Sequence, residues 1–230
     1  MILTDSPNNT DNSTAGNYVA GNFTAGNSAA GNSAAGNSAH TVAVLAVQGA
    51  FLEHRLMLEK LGARVIELRQ ARDLQQSFDR LVLPGGESTV QAKLLREQNM
   101  LEPLRERIAD GMPVLGTCAG LILLAKHVEG NEVNGFGTLD VTVKRNAYGR
   151  QLGSFHCESE FGSHNSSLDL GKVPMTFIRA PYIAEVGANA EVLATVDGHI
   201  VAARQGNQIG TSFHPELDDD TRIHQLFLDL

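Results

Sequence analysis

Met112-Pro-Val-Leu-Gly-Thr-Cys118-Ala-Gly-Leu-Ile-Leu-Leu-Ala125 is the stretch on which the fold turns. Met112–Thr117 is a short apolar run of the length of a buried strand, and Ala119 to Lys126 reads as an apolar helix that follows at once. They meet at Gly116-Thr-Cys118-Ala-Gly120, the pattern of a nucleophile elbow with cysteine in place of serine. A sharp turn there lifts the side chain above the sheet edge, and small flanking residues make the turn sterically possible. The helix N-terminus favours a thiolate, and the Ala119 N–H is available to an oxyanion. A solitary cysteine is more often a small buried hydrophobe. Glycine on both sides of this one, at a strand–helix junction, favours the nucleophile.

The same alternation extends outward. Upstream, Val42–Val47, Val65–Leu68 and Arg80–Pro84 read as buried strands. Helical spacing falls between them, over residues 51–61 and 88–110, with Pro103 marking the start of a second helix in the latter. Strands alternating with helices predict a mostly parallel sheet with helices on both faces. From Phe136 the pattern is β-rich, at 137–143, 150–161, 175–178, 191–196, 199–204 and 207–213, before a closing helix from about Asp220. One α/β domain, residues 41–230, with an antiparallel extension is expected.

Two further motifs fall at predicted strand ends. Ser212-Phe-His214-Pro-Glu216 closes the last strand, and in extended chain residues i and i+2 share a side, so Glu216 can orient the His214 imidazole. Nucleophile, base and orienting carboxylate are then all present, although a lone histidine is usually structural. Leu83-Pro-Gly-Gly-Glu-Ser-Thr89 runs from a strand into a helix, where Gly85 and Gly86 let backbone N–H groups approach a ligand. Taken alone, it is equally an ordinary turn with a helix cap. In an open α/β sheet these loops meet at the carboxyl ends of the strands, where ligands bind.

Composition narrows the function. The chain has 230 residues, 42% hydrophobic, and a net charge of −8, which argues against a nucleic-acid partner needing a clustered positive surface. The longest apolar run, Met112–Ala125, is shorter than the roughly 20 residues that cross a bilayer, so no membrane association is expected. With no secretory pattern at the N-terminus and only Cys118 and Cys157, a cytoplasmic protein with free thiols is expected. The eight histidines show no metal-ligand spacing, so neither metal nor cofactor is expected. Residues 1–40 lack Lys and Arg and carry AGNxx repeats from Ala15 to Ala39, a low-complexity tail with too little apolar area to form a core; disorder is its expected state.

Residues 42–228 resemble the class I, triad-type glutamine amidotransferases, and among them the glutaminase subunits of pyridoxal 5′-phosphate synthase. The resemblance rests on VQGAFLEH near the start, LPGGEST at 83–89, GTCAGLILLAK at 116–126, VKRNAYGRQ at 143–151, FIRAP at 177–181 and SFHPEL at 212–217. It implies a flavodoxin-like three-layer fold and a triad of Cys118, His214 and Glu216. It also implies that L-glutamine is held by Gly85, Gly86, Glu87, Arg145, Ile178 and Arg179, with oxyanion donors from Ala119 and Gly86. The implied partner is a (β/α)₈-barrel synthase subunit that receives the ammonia in a hetero-oligomeric complex and switches the glutaminase on. Where relatives have an acidic residue after Ser-Phe, this chain has His156-Cys157, which as strand neighbours point to opposite faces. Two other readings are an enzyme of the same fold with another target, such as a γ-glutamyl hydrolase, and a catalytically silent binding module.

Overall fold

The computed structural model describes residues 40–130, 134–145, 154–162 and 168–230. Contacts divide the chain into Met1–Gly36 and Asn37–Leu230, and every described residue belongs to the second unit. The repeat at 15–39, expected to be disordered, lies outside the described residues.

Five strands form the parallel half of the sheet, in the order β2 (Arg64–Leu68), β1 (Thr41–Leu45), β3 (Arg80–Leu83), β4 (Val114–Thr117) and β12 (Gln208–Thr211). All are short, and β1, β3, β4 and β12 are almost wholly buried, as strands covered on both faces must be, while the edge strand β2 is buried only in part. Their side chains alternate between two cores. Ala43, Leu45, Leu81 and Leu83 point toward α2 (Ser88–Glu97), α3 (Leu101–Ala109) and α4 (Ala119–Leu124). Val42, Val44, Val82 and Leu115 point the other way, toward α1 (Phe51–Lys60) and α5 (Arg222–Leu228). This is the expected mostly parallel, three-layer α/β arrangement. Pro103 sits in the first turn of α3, where its missing N–H costs no helical hydrogen bond.

Beyond β12 the sheet continues antiparallel through β11 (His199–Gln205), β9 (Tyr182–Val186) and β6 (Leu139–Lys144), with β5 (Ala125–Glu129) parallel to β6 at the edge and β10 (Glu191–Val196) paired to β11. The antiparallel extension is therefore real, but part of it stands apart. β7 (Ser154–Phe161) and β8 (Gly171–Ile178) form a separate two-stranded ribbon whose Phe161, Val173, Met175 and Phe177 pack into the α1/α5 core. Phe155 stacks on Phe177 across the ribbon, with centroids 4.4 Å apart, and the contacts of Phe177 and Phe161 with Phe213 join the ribbon to the core.

Several boundaries differ from expectation. The helix predicted to reach Lys126 stops at Leu124, and the chain turns extended at Ala125 (ψ 136°) to pair β5 with β6. A run buried on every side has no periodicity by which to tell helix from strand, so only the partner strand decides. β9 was not expected; it follows Pro181 and is held between β6 and β11. β8 begins at Gly171 rather than 175 and carries Pro174, tolerated because the ribbon has only two strands. Residues 150–153 of the expected 150–161 strand lie outside the described residues.

Candidate active site

The site begins at the junction of β4 and α4. Cys118 adopts φ 48° and ψ −96°, a conformation costing an L-residue about 1–3 kcal/mol, and its N–H donates to the Thr211 carbonyl at 2.8 Å. The flanking glycines make the turn possible. A Cβ on Gly120 would lie 2.0 Å from the Leu83 carbonyl oxygen, and one on Gly116 would lie 2.7 Å from Leu124. α4 therefore starts in contact with β3 backbone, and all six of its residues are buried. At about 1.5–3 kcal/mol for each buried Leu or Ile side chain, this packing holds the strained turn in place.

His214 arrives from the far end of the sequence. β12 pairs in parallel with β4, Thr211 opposite Thr117, so the segment leaving β12 passes beside the elbow. The predicted extended Ser212–Glu216 segment needs correction: the strand ends at Thr211, and Pro215–Leu217 is a 3₁₀ turn. Pro215 starts that turn, and the turn, rather than a strand period, brings Glu216 back to His214. His214 Nδ1 and Glu216 Oε1 are 2.7 Å apart. Both residues are buried, as is Cys118. Burial alone would lower the His214 pKa, but hydrogen bonds with Cys118 and Glu216 outweigh it and push it up to about 10. Burial likewise opposes the Glu216 charge, while neighbouring His54 and His214 hold its carboxyl below the usual range.

The 85–87 loop closes one side. Gly85 N–H donates to Thr117 Oγ1 at 3.0 Å, and Glu87 N–H donates to Gln48 Oε1 at 2.7 Å. Gln91 Nε2 ties the loop down through the carbonyls of Gln48 and Pro84. Ala119 is the first residue of α4, so its N–H has no intrahelical acceptor.

A cavity of about 110 Å³ opens at this point. Gly86, Glu87, Cys118, Arg145, Ile178 and Arg179, all expected at the site, line it together with Ser88, Ile122 and Pro181. Across it Arg145 Nη2 donates to Glu87 Oε1 at 3.2 Å, so one cationic and one anionic side chain face the cavity as a pair. Arg179 has φ 44°, a second strained residue at the rim. The buried Ser88 hydroxyl has no partner among the described residues. Gly85, Ala119 and His214 are beside the cavity rather than on its lining.

Three contributors gave no signal of a role in the sequence. Gln48, inside the VQGAFLEH segment, holds the Glu87 backbone. His54, from the same segment, is fully buried on α1 beside Glu216, and His224 on α5 is buried beside His54. His156 and Cys157 do point to opposite faces of β7. His156 is exposed, 3.0 Å from Thr176 Oγ1, whereas Cys157 packs into the core.

Comparison with known proteins places this geometry. Residues 44–230 match the family model described as the SNO glutamine amidotransferase family. The pyridoxal 5′-phosphate synthase subunit PdxT of Desulfitobacterium hafniense is 62% identical over 188 residues, covering 82% of this chain and 92% of its own. The same subunit from Streptococcus pneumoniae is 54% identical over 192 residues, 82% of this chain and 96% of its own. A crystal structure titled as a glutamine amidotransferase superposes with a TM-score of 0.75 at 42% identity, covering 82% of this chain and 97% of that one.

Proposed function

The chain belongs to the SNO glutamine amidotransferase family, and we propose on that premise that it is the glutaminase subunit of a pyridoxal 5′-phosphate synthase, hydrolysing L-glutamine to L-glutamate and ammonia. The observation that carries the reading is the convergence of Cys118, His214 and Glu216 beside a small cavity lined by Arg145 and Glu87.

In this reading Cys118 is the nucleophile, His214 the general acid and base, and Glu216 the group that orients His214. The raised pKa of His214 keeps it an imidazolium at neutral pH beside the Cys118 sulfur, which reacts in its thiolate form. The thiolate attacks the side-chain amide carbon, and the oxyanion is received by N–H groups of Ala119 and Gly86. The Gly85 N–H is already given to Thr117, which leaves Gly86 as the loop's donor. His214 protonates the departing nitrogen as the C–N bond breaks, giving ammonia and a γ-glutamyl thioester. The now neutral His214 takes a proton from water, whose oxygen cleaves the thioester to glutamate and restores the thiolate and imidazolium.

Glutamine binding falls to Glu87, for the α-ammonium, and Arg145, for the α-carboxylate, with Gly85, Gly86, Ile178 and Arg179 completing the site. The substrate's two charges replace the charges that these side chains now offer each other. The ammonia passes to a (β/α)₈-barrel synthase subunit in a hetero-oligomeric, cytoplasmic complex, and the tail at residues 1–40 takes no part in the chemistry. Among the described residues no helix is long and apolar enough to cross a membrane.

The test is glutamate release from L-glutamine by the purified chain, alone and with the synthase subunit from the same source. Marked stimulation is expected. Strong activity without stimulation would remove the partner from the reading, and no activity in either condition would remove the glutaminase.

A further inference from the structure

Glu216 has two carboxylate oxygens, and the proposed triad uses one. Oε1 meets His214; Oε2 is buried with no hydrogen-bond partner among the described residues, and His54 Nε2 lies 3.3 Å from it. His54 has no exposed surface. Its Nε2 also lies 3.1 Å from the Thr117 hydroxyl that receives the Gly85 N–H, and its Nδ1 lies 2.9 Å from Nε2 of the equally buried His224.

The protons on this chain follow from satisfaction. A buried carboxylate oxygen must be offered a hydrogen, which assigns the His54 proton to Nε2. Nδ1 of His54 is then a lone pair and must face a donor, which assigns the His224 proton to Nε2. The opposite tautomer of His54 would aim a lone pair at the carboxylate. Both imidazoles are neutral: burial holds the His54 pKa below its ordinary value despite the nearby Glu216 and Glu53, and burial with His54 alongside pushes His224 down to about 3. With its proton on Nε2, His54 is the donor that faces the unpaired oxygen of Glu216, while His214 holds the other.

We propose that His54 is a positioning residue of this active site, its Nε2–H fixing the second oxygen of Glu216 so that the first stays on His214, with His224 setting the tautomer that allows it. The reaction it serves rests on the glutaminase reading; the geometry does not. Without that donor, Glu216 takes up a proton or turns toward another donor. Either change weakens the His214 imidazolium and, with it, the Cys118 thiolate.

The test uses the full chain in a Cys157→Ser background, so that Cys118 is the only thiol. In His54→Leu, glutamine turnover with the synthase subunit present should lose on the order of 10- to 100-fold in kcat, the worth of one hydrogen bond to a charged group, with KM nearly unchanged. The acid limb of Cys118 alkylation by iodoacetamide should move up by about one pH unit, and His54→Gln, which keeps an N–H, should recover most of both losses. A folded His54→Leu protein with unchanged kcat and an unchanged alkylation profile would overturn the proposal, whatever its melting temperature. Should His54→Leu fail to fold, ¹⁵N-histidine NMR of the unsubstituted chain decides: Nε2–H at His54 supports the proposal, and Nδ1–H overturns it. An alkylation shift in a chain that never hydrolyses glutamine would retain His54 in this role and discard the glutaminase reading instead.

Discussion

Gly85 lies directly against the imidazole of His214: a Cβ on its backbone would sit 2.2 Å from Cε1 and 2.8 Å from Nδ1 of the ring. The ring cannot move aside without leaving Glu216, 2.7 Å away on Nδ1. Gly85→Ala should therefore leave the fold intact and lower kcat by at least about 10²-fold, since a displacement near 1 Å is enough for such a loss. Steady-state glutaminase kinetics together with a thermal melt check this; a loss of stability matching the loss of rate would place the effect in folding instead.

Replacing the proposed nucleophile separates chemistry from backbone strain. Cys118→Ala should abolish glutamine hydrolysis while keeping stability within about 1 kcal/mol. Cys118→Gly should be equally inactive yet at least as stable as the alanine variant, although glycine usually costs about 0.5–1 kcal/mol, because φ 48° is strained for any residue with a Cβ. Urea unfolding of both variants reads the difference, and residual turnover in either would contradict the assignment of Cys118.

Arg145 and Glu87 pair across the cavity at 3.2 Å, and Glu87 is largely exposed. Removing one charge should cost substrate binding more than chemistry. Arg145→Met is expected to raise KM for glutamine by about tenfold, the lower end for a hydrogen bond to a charged group, with kcat within about threefold. A fall in kcat at unchanged KM would move Arg145 out of the binding role.

Three buried imidazoles set how stability varies with pH. Unfolded, each titrates near 6.5. Folded, His214 keeps its proton up to about 10, so its contribution is complete below 6.5 and is lost as pH rises from there through about 10. His54 and His224 are shifted the opposite way, His224 to about 3. Below 6.5 the unfolded chain takes protons that these two refuse in the fold, and stability falls as pH drops. The maximum should lie near pH 6.5, with slopes of up to about 1.4 kcal/mol per pH unit for each proton involved. Denaturant unfolding near pH 5, 6.5 and 8.5 measures it, and a flat profile above 6.5 would mean that His214 is not held protonated.

Much of the site was legible because its parts are encoded locally. The elbow needs two glycines around Cys118, and clashes of 2.0 and 2.7 Å explain why no larger residue serves at either position. The apolar strands β1, β3 and β4 carry both cores in alternate residues, a pattern visible as continuous apolar runs. The LPGGEST loop announces itself by its glycines, whereas His-Pro-Glu reads as a strand end and only the structure shows the 3₁₀ turn at Pro215–Leu217.

What local pattern could not carry was settled by pairing between distant segments. Thr117 and Thr211 stand opposite one another across 94 residues of sequence, and that register alone brings Cys118 to His214. The strand at Ala125–Glu129 exists because β6 offers it a partner, although its apolar lead-in reads equally well as helix. His54 looks like one more residue of an amphipathic helix until α1 packs it against Glu216 and α5 delivers His224 behind it. A residue's type and spacing specify its local conformation and which side it buries. Which partner it meets there depends on long-range packing, where many weak contacts act together and none is written in a neighbouring residue.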